Sequence, residues 1–370
     1  MSHKLGSALK IIENGSQQHA FAGAVACVGL NGSIVMNKAV GYSSIFPVRQ
    51  KIEPDTLFDL ASVTKVVATA TSVMILVEHG RLDLETRVVD LLHSFSRGAK
   101  KKVRVRHLLC HTSGLPAWAP LYARPEANKT TIVRSICNDM PLQSAPGTRA
   151  TYSDLGYIIL GEIVQRASNQ SLDHFASDEI YRPLGMKHTC FVPRLPAGNV
   201  AATEFSNWRF RMIRGEVHDE NAAAMSGVSG HAGLFSTASD LARFCMMMLN
   251  GGIYAGKRIL DEGTIRLMVR NHTSDVGSYY GLGWRVKTRL TPGVGARLSS
   301  GSYGHNGYTG TSVWLDKARD AFIILLTNRV HPVREGIPGS DESVGIMMRR
   351  RVSWADVLQD FQNEVIASIS

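Results

Sequence analysis

The sequence predicts an α+β fold: an antiparallel sheet formed from both chain ends, flanked by helices, with a mainly helical lobe inserted between them. Three observations carry this. Strand-like segments occupy residues 23–41 and return from Gly281 onward. Residues 83–225 read as short helices and loops rich in Pro and Gly. Ser62–Glu78 is apolar round its whole circumference, the mark of a helix enclosed by other elements. At 370 residues the chain is too long for one simple core. The sheet domain is therefore assigned to residues 1–82 and 235–370, the helical lobe to 83–234, and the active site to the cleft between them.

The elements follow in order. Leu5, Leu9, Ile11 and Ile12 give residues 3–15 the pattern of an amphipathic surface helix. Two apolar runs joined by Asn31-Gly32 predict a β-hairpin, because that dipeptide accepts the left-handed backbone of a tight turn. The buried helix from Ser62 ends at Gly80. Asp154–Ala167 and Ser236–Asn250 are further helices, the second with Thr237 or Ser239 as its cap. Gly281–Val286, Thr311–Asp316 and Ala321–Asn328 read as strands, and Trp354 to about Ile366 as a closing amphipathic helix.

Composition removes several classes of function. Hydrophobic residues make up 44% and charged residues 19%, ordinary for a globular chain, and no apolar run approaches the roughly 20 residues of a membrane span. The opening MSHKLGSALK lacks the apolar core of a signal peptide, so the expected location is cytoplasmic unless a leader has been removed. Five scattered cysteines without a C-x-x-C argue against a disulfide framework or a thiolate zinc site. Net charge is +10, with basic clusters at Lys100–Lys102 with Arg104 and Arg106, at Arg209, Arg211 and Arg214, and at Arg349–Arg351. No nucleic-acid motif accompanies them, and a solvated basic face is the expectation. Gly251–Lys257 matches a phosphate-binding loop except that Arg258 replaces the needed Ser or Thr. No G-x-S-x-G and no H-E-x-x-H occurs, and the histidines show no metal-ligand spacing. Neither cofactor nor metal is expected.

The chemistry gathers in three segments. Lys65 is the one cation on the apolar helix, and an amine taken out of water loses hydration as its charged form, so its pKa falls. Ser62 stands three residues earlier on the same face, near backbone N–H groups that favour a developing oxyanion. A hydroxyl, an amine of depressed pKa and an oxyanion site are what nucleophilic serine catalysis requires. A second S-x-x-K, at Ser7 and Lys10, lies on an exposed surface and lacks the apolar surround. Tyr152-Ser153-Asp154 places a phenol just before a capped helix, able to exchange protons with the serine. In Tyr303–Gly310, alternating glycines let a ligand approach a strand edge; His305 points to the cleft, and the Tyr308 N–H is a candidate second oxyanion donor.

This ordered set resembles the class C β-lactamase and penicillin-binding-protein superfamily over residues 20 to 330. Phe58–Lys65, Leu108–Pro116, Pro146–Asp154, Pro183–Met186 and Gly230–Leu241 resemble its members too. The resemblance implies a β-lactamase/transpeptidase-like fold, acylation of Ser62, base duty shared by Tyr152 and Lys65, and an oxyanion hole from the Ser62 and Tyr308 amides. It places His305 among the catalytic residues and Asp154, Asn306, Gly307 and His218 at the substrate. Two departures matter. His305 replaces the lysine that grips a β-lactam carboxylate, which makes efficient β-lactamase action unexpected. Asp154 stands where many relatives have Asn, and an anion there suits Lys65 or a cationic substrate group. The expected activity is a serine hydrolase cleaving esters or D-amino-acid amides, with a small-molecule ester or peptide as partner and no specific nucleic acid. A catalytically idle penicillin- or muropeptide-binding module and a weak β-lactamase remain the alternatives.

Overall fold

The structure is a computed structural model that describes residues 5–193, 199–332 and 352–370. Its main sheet has seven strands: β1 (Gly23–Leu30), β2 (Ser33–Ser44), β3 (Gln50–Lys51), β4 (Arg285–Val286), β5 (Tyr303–Asn306), β6 (Thr311–Asp316) and β7 (Ala321–Thr327). They lie in the order β4-β5-β6-β7-β1-β2-β3, and every pairing is antiparallel. The two chain ends meet at the centre, where β1 pairs β7 from Ala24 opposite Thr327 to Leu30 opposite Ala321.

Alternation along the central strands builds two cores. Val25 and Cys27 of β1, Val313 and Leu315 of β6, and Phe322, Ile324 and Leu326 of β7 face one way, into the larger cluster with the buried helix. Ala24, Ala26, Val28, Trp314, Ile323 and Leu325 face the other way, against two helices, α1 (Gly6–Gln17) and a closing helix at Trp354–Ile369. Side chains of a strand point alternately to its two faces, so a sheet covered on both sides reads as continuous apolar runs. The larger core continues without a break into α3 (Asp154–Ser168) of the helical region, through Tyr157, Ile158, Leu160 and Val164.

Two expected elements differ. Ser62–Glu78 is not one regular helix: a 3₁₀ turn at Ala61–Val63 leads into π-type turns at Lys65–Ala70, and only α2 (Thr71–Glu78) is α-helical. The Thr71 hydroxyl donates to the Val66 carbonyl five residues back at 2.7 Å, a back-bond that competes with the α-helical ladder. In Gly281–Val286 only Arg285 and Val286 join the sheet. Gly283 has φ +94° and donates its N–H to Leu109, which ends the extended run. Ala61–Glu78 has the length and mean hydropathy (1.4) of a membrane span, but 83% of it is buried among the protein's own side chains.

The basic clusters are in part used inside the molecule, while Lys101, Lys102, Arg106 and Arg211 stay exposed. Lys100, 3% exposed, is no part of a solvated face: its ammonium donates to the Ile136 and Cys137 carbonyls, both at 2.7 Å. Arg106 pairs with Glu85, Arg211 with Glu216, and Arg209 donates to the Val217 and His218 carbonyls. Arg349–Arg351 lie outside the described residues.

Candidate active site

Ser62 follows a residue held in an unusual conformation. Ala61 has φ +46°, a region a Cβ disfavours, and its N–H donates to Asp59 Oδ1 at 2.8 Å. The other oxygen of Asp59 accepts the His218 N–H at 2.6 Å. One buried carboxylate thus ties the nucleophile turn to the segment carrying His218 and Asp219.

Lys65 is wholly buried. Its Nζ lies 2.9 Å from Ser62 Oγ, 2.9 Å from the His231 carbonyl and 2.7 Å from Asp154 Oδ1. Burial pushes the amine below its ordinary pKa, and the Asp154 carboxylate pulls it back part of the way. The three contacts define what the amine can do. A neutral amine has two N–H groups and one lone pair. The carbonyl and the carboxylate only accept, so they take both N–H groups, and the lone pair is left facing the serine hydroxyl. Once protonated, the ammonium donates to all three partners without moving.

Tyr152 sits opposite. Lys65 Nζ is 4.9 Å from its ring centroid, and its hydroxyl is hydrogen-bonded to Ser62. Burial, reinforced by Asp154, raises the phenol well above its ordinary pKa, while the Ser62 hydrogen bond favours the phenolate. Ser153 caps α3 by accepting the Gly156 N–H at 3.2 Å, which places Asp154 in the first turn.

Two buried histidines flank the phenol. The His305 ring is 5.9 Å away; its Nδ1–H donates to the Asn306 carbonyl at 2.9 Å, which leaves Nε2 as an acceptor. Burial and then the Lys65 charge push His305 down to about 3, so it is neutral at physiological pH. His111 is 4.5 Å from the Tyr152 ring and accepts the Ser153 N–H through Nδ1 at 3.0 Å.

The opposite wall is the loop 229–234. His231 Nδ1 meets Ser229 Oγ, and its Nε2 meets Asp219 Oδ1, both at 2.8 Å, which fixes the carbonyl that Lys65 contacts. Burial raises the Asp219 carboxyl, but the His231 imidazole and the Ala222 N–H outweigh it and hold the group below its usual range. Leu234 N–H donates to Thr64 Oγ1, and Thr69 Oγ1 donates to the Gly230 carbonyl at 2.7 Å, so this loop lies along the nucleophile helix.

The turn after β5 closes the site. A Cβ on Gly307 would stand 2.4 Å from the Leu60 carbonyl, so only glycine lets the turn touch the nucleophile segment. Thr309 and Thr311 hydroxyls donate to the Asp59 and Leu60 carbonyls, both at 2.8 Å. The result is a cavity of about 380 Å³ lined by Ser62, Tyr152, Asp154, Asp219, His218 and Tyr308, with the half-exposed Trp118 at its edge. Hollows of about 540 and 580 Å³ open elsewhere, and neither is lined by Ser62 or Tyr152. His218 stacks on Tyr308 at 5.7 Å and lies 3.1 Å from Glu204. Asn306 is turned aside: its side-chain oxygen accepts from Ser312 Oγ and Trp314 Nε1.

Sequence reasoning missed Asp59 and His231 as members of the site, and reached Asp219 only as a neighbour of His218 able to line the cleft. Asp59 and His231 stood within quoted segments but had no spacing rule to single them out, and no sequence signal marks the backbone of Ala61. No group of His, Cys, Asp and Glu among the described residues has the arrangement of a metal site.

A family model for β-lactamases matches residues 9–342. A protein of Salmonella schwarzengrund (strain CVM19633), named provisionally as a D-alanyl-D-alanine carboxypeptidase, is 36% identical over 336 residues, covering 80% of this chain and 76% of its own. The hydrolase EstCE1, described with promiscuous acyltransferase activity, matches in structure with a TM-score of 0.75 at 20% identity, over 97% of this chain and 99% of that one. A penicillin-binding protein homologue from Caulobacter crescentus gives 0.75 at 18% identity, over 99% and 97%. At those identities the two structures report a shared fold.

Proposed function

The chain belongs to the β-lactamase family, and on that premise we propose that it is a serine hydrolase that forms an acyl-enzyme on Ser62 and cleaves esters or D-amino-acid amides. The observation that carries the reading is the buried Lys65 amine, 2.9 Å from Ser62 Oγ, with its other two contacts fixed on pure acceptors.

The proposed sequence is short. Substrate enters the cavity with its carbonyl carbon against Ser62 Oγ. The serine proton passes to the Lys65 amine, directly or through Tyr152, as Oγ attacks. The Ser62 and Tyr308 N–H groups receive the oxyanion. Tyr152 then returns a proton to the leaving oxygen or nitrogen, and the acyl group stays on Ser62 as an ester. Water, deprotonated by the same pair, releases the acid and restores the serine. Neutral His305 accepts hydrogen bonds and supplies no charge for a carboxylate, which favours esters and D-amino-acid amides that carry no free carboxylate there over β-lactams.

The test is covalent labelling. A fluorophosphonate should attach to Ser62, and the Ser62→Ala protein should lose both labelling and p-nitrophenyl ester hydrolysis. Labelling that persists in the variant overturns the reading. A panel of short-chain esters, D-Ala-D-Ala peptides and nitrocefin then separates esterase from peptidase.

A further inference from the structure

The Lys65–Asp154 pair has a consequence for how the site depends on pH. Asp154 Oδ1 is 2.7 Å from Lys65 Nζ, and the ammonium end is wholly excluded from water. A charge that close to a buried amine acts with little screening. Among the described residues, the other groups around the amine are few. Tyr152 and Tyr157 present their rings at 4.9 and 5.6 Å. His111 and His305 are buried and neutral, and each is further discouraged from protonation by Lys65. Asp219 adds a weaker negative charge from the His218–Asp219 segment, behind His231. Asp154 is therefore the dominant anion at this amine, and Tyr152 feels it as well, more strongly than the opposing charge of Arg285 or the added charge of Asp219.

Resting on the serine-hydrolase reading, we propose that Asp154 is a positioning residue that aims Lys65 at Ser62 and sets the pH at which the site can take the serine proton. A carboxylate beside the amine favours the ammonium, and beside the phenol it disfavours the phenolate. Either group must lose its proton before it can act as base. The carboxylate moves both in the same direction, so the acid limb of activity lies at higher pH than the protein would show without it, whichever group is the base. The carboxylate also occupies one N–H of the neutral amine and so steers the lone pair to Ser62.

The experiment is the pH profile of kcat/KM for a p-nitrophenyl ester, measured on wild type, Asp154→Asn and Asp154→Glu. Asn keeps an oxygen that can accept the Lys65 N–H but carries no charge. Its acid limb should move to lower pH by about 1–3 units, the usual effect of one opposite charge at contact distance. Glu should keep the wild-type limb at reduced rate. Fluorophosphonate labelling of each variant, with its thermal midpoint, reports whether the site is intact. An Asn variant that labels at Ser62, yet keeps the wild-type limb or moves it upward, overturns this inference while leaving the hydrolase reading in place. Wild type that does not label at all overturns the hydrolase reading instead.

Discussion

Gly307→Ala tests whether the turn after β5 must lie in contact with the nucleophile segment. The added methyl would sit 2.1 Å from Thr311 Oγ1, 2.4 Å from the Leu60 carbonyl and 3.3 Å from the Ala61 Cβ. The first atom can rotate away. The second is backbone and about 1 Å closer than a methyl tolerates, so the turn itself has to retreat. It carries Tyr308, the proposed second oxyanion donor, and Thr309 and Thr311, whose hydroxyls clamp Asp59 and Leu60. A shift of about 1 Å at reacting groups costs on the order of 10²-fold in rate, about 2.7 kcal/mol of transition-state stabilisation. Overpacking should cost about 1–3 kcal/mol of folding stability. The assay is p-nitrophenyl ester hydrolysis at saturating and limiting substrate, with urea unfolding alongside. Gly263→Ala, where a methyl meets nothing within 4 Å, is the control. A Gly307→Ala protein with wild-type kcat would refute the claim that this contact positions the oxyanion site.

Other outcomes follow from the same geometry. Tyr152→Phe should lower kcat by about 10²–10⁴-fold, the range for a lost general acid or base, with little change in thermal midpoint, whereas a wild-type rate would remove the phenol from the mechanism. Lys100→Ala should lose about 1–3 kcal/mol for each stranded carbonyl of Ile136 and Cys137, read as a lower urea midpoint with unchanged kcat. Buried neutral histidines should make the protein acid-sensitive. The pKa of His331 is lowered by burial to about 4 and that of His305 to about 3, both from 6.5, so the unfolded chain binds protons first as pH falls. Stability is therefore full above about pH 6.5 and declines toward pH 4, by about 1.4 kcal/mol per pH unit for each such group. Urea midpoints at pH 7.5, 6 and 4.5 should fall in that order and fall less in His331→Gln; parallel curves for the two proteins would contradict the assignment to His331.

What was legible in the sequence was the part that local chemistry determines. The hairpin at Asn31-Gly32, Thr311–Asp316, Ala321–Thr327 and the helix capped by Ser153 formed nearly as expected, because turn dipeptides, apolar runs and caps act over a few residues. Lys65 was recognisable because a lone cation among apolar residues has few physical explanations. The loss of regular α-helix after Ser62 was not legible; a threonine hydroxyl reaching back to Val66 accompanies it, a choice made in the packed helix. Nor was the break at Gly283, where Leu109 supplies the acceptor from far along the chain. His231 enters the site on a loop that long-range contacts to Thr64 and Thr69 hold in place, and Asp219 on a separate segment tied to Asp59 through the His218 N–H and to His231 through its imidazole. Lys100 was misjudged as solvated because its neighbours are basic; two carbonyls it could not have announced take its ammonium inside.

The sheet order bears on how the molecule is made. Its first strand lies between β2 and β7, so half the edge of β1 waits for a partner about 300 residues downstream. As the ribosome emits the chain, the nucleophile helix appears early but has only a partial floor to rest on until β6 and β7 arrive. Pairing across so wide a separation is slow, and unpaired edges invite aggregation while they wait. Truncations that keep Ser62, Lys65 and Tyr152 but stop before Ala321 should therefore emerge as insoluble or chaperone-bound chains without activity. The reactive serine can be assembled only by a protein that is almost finished.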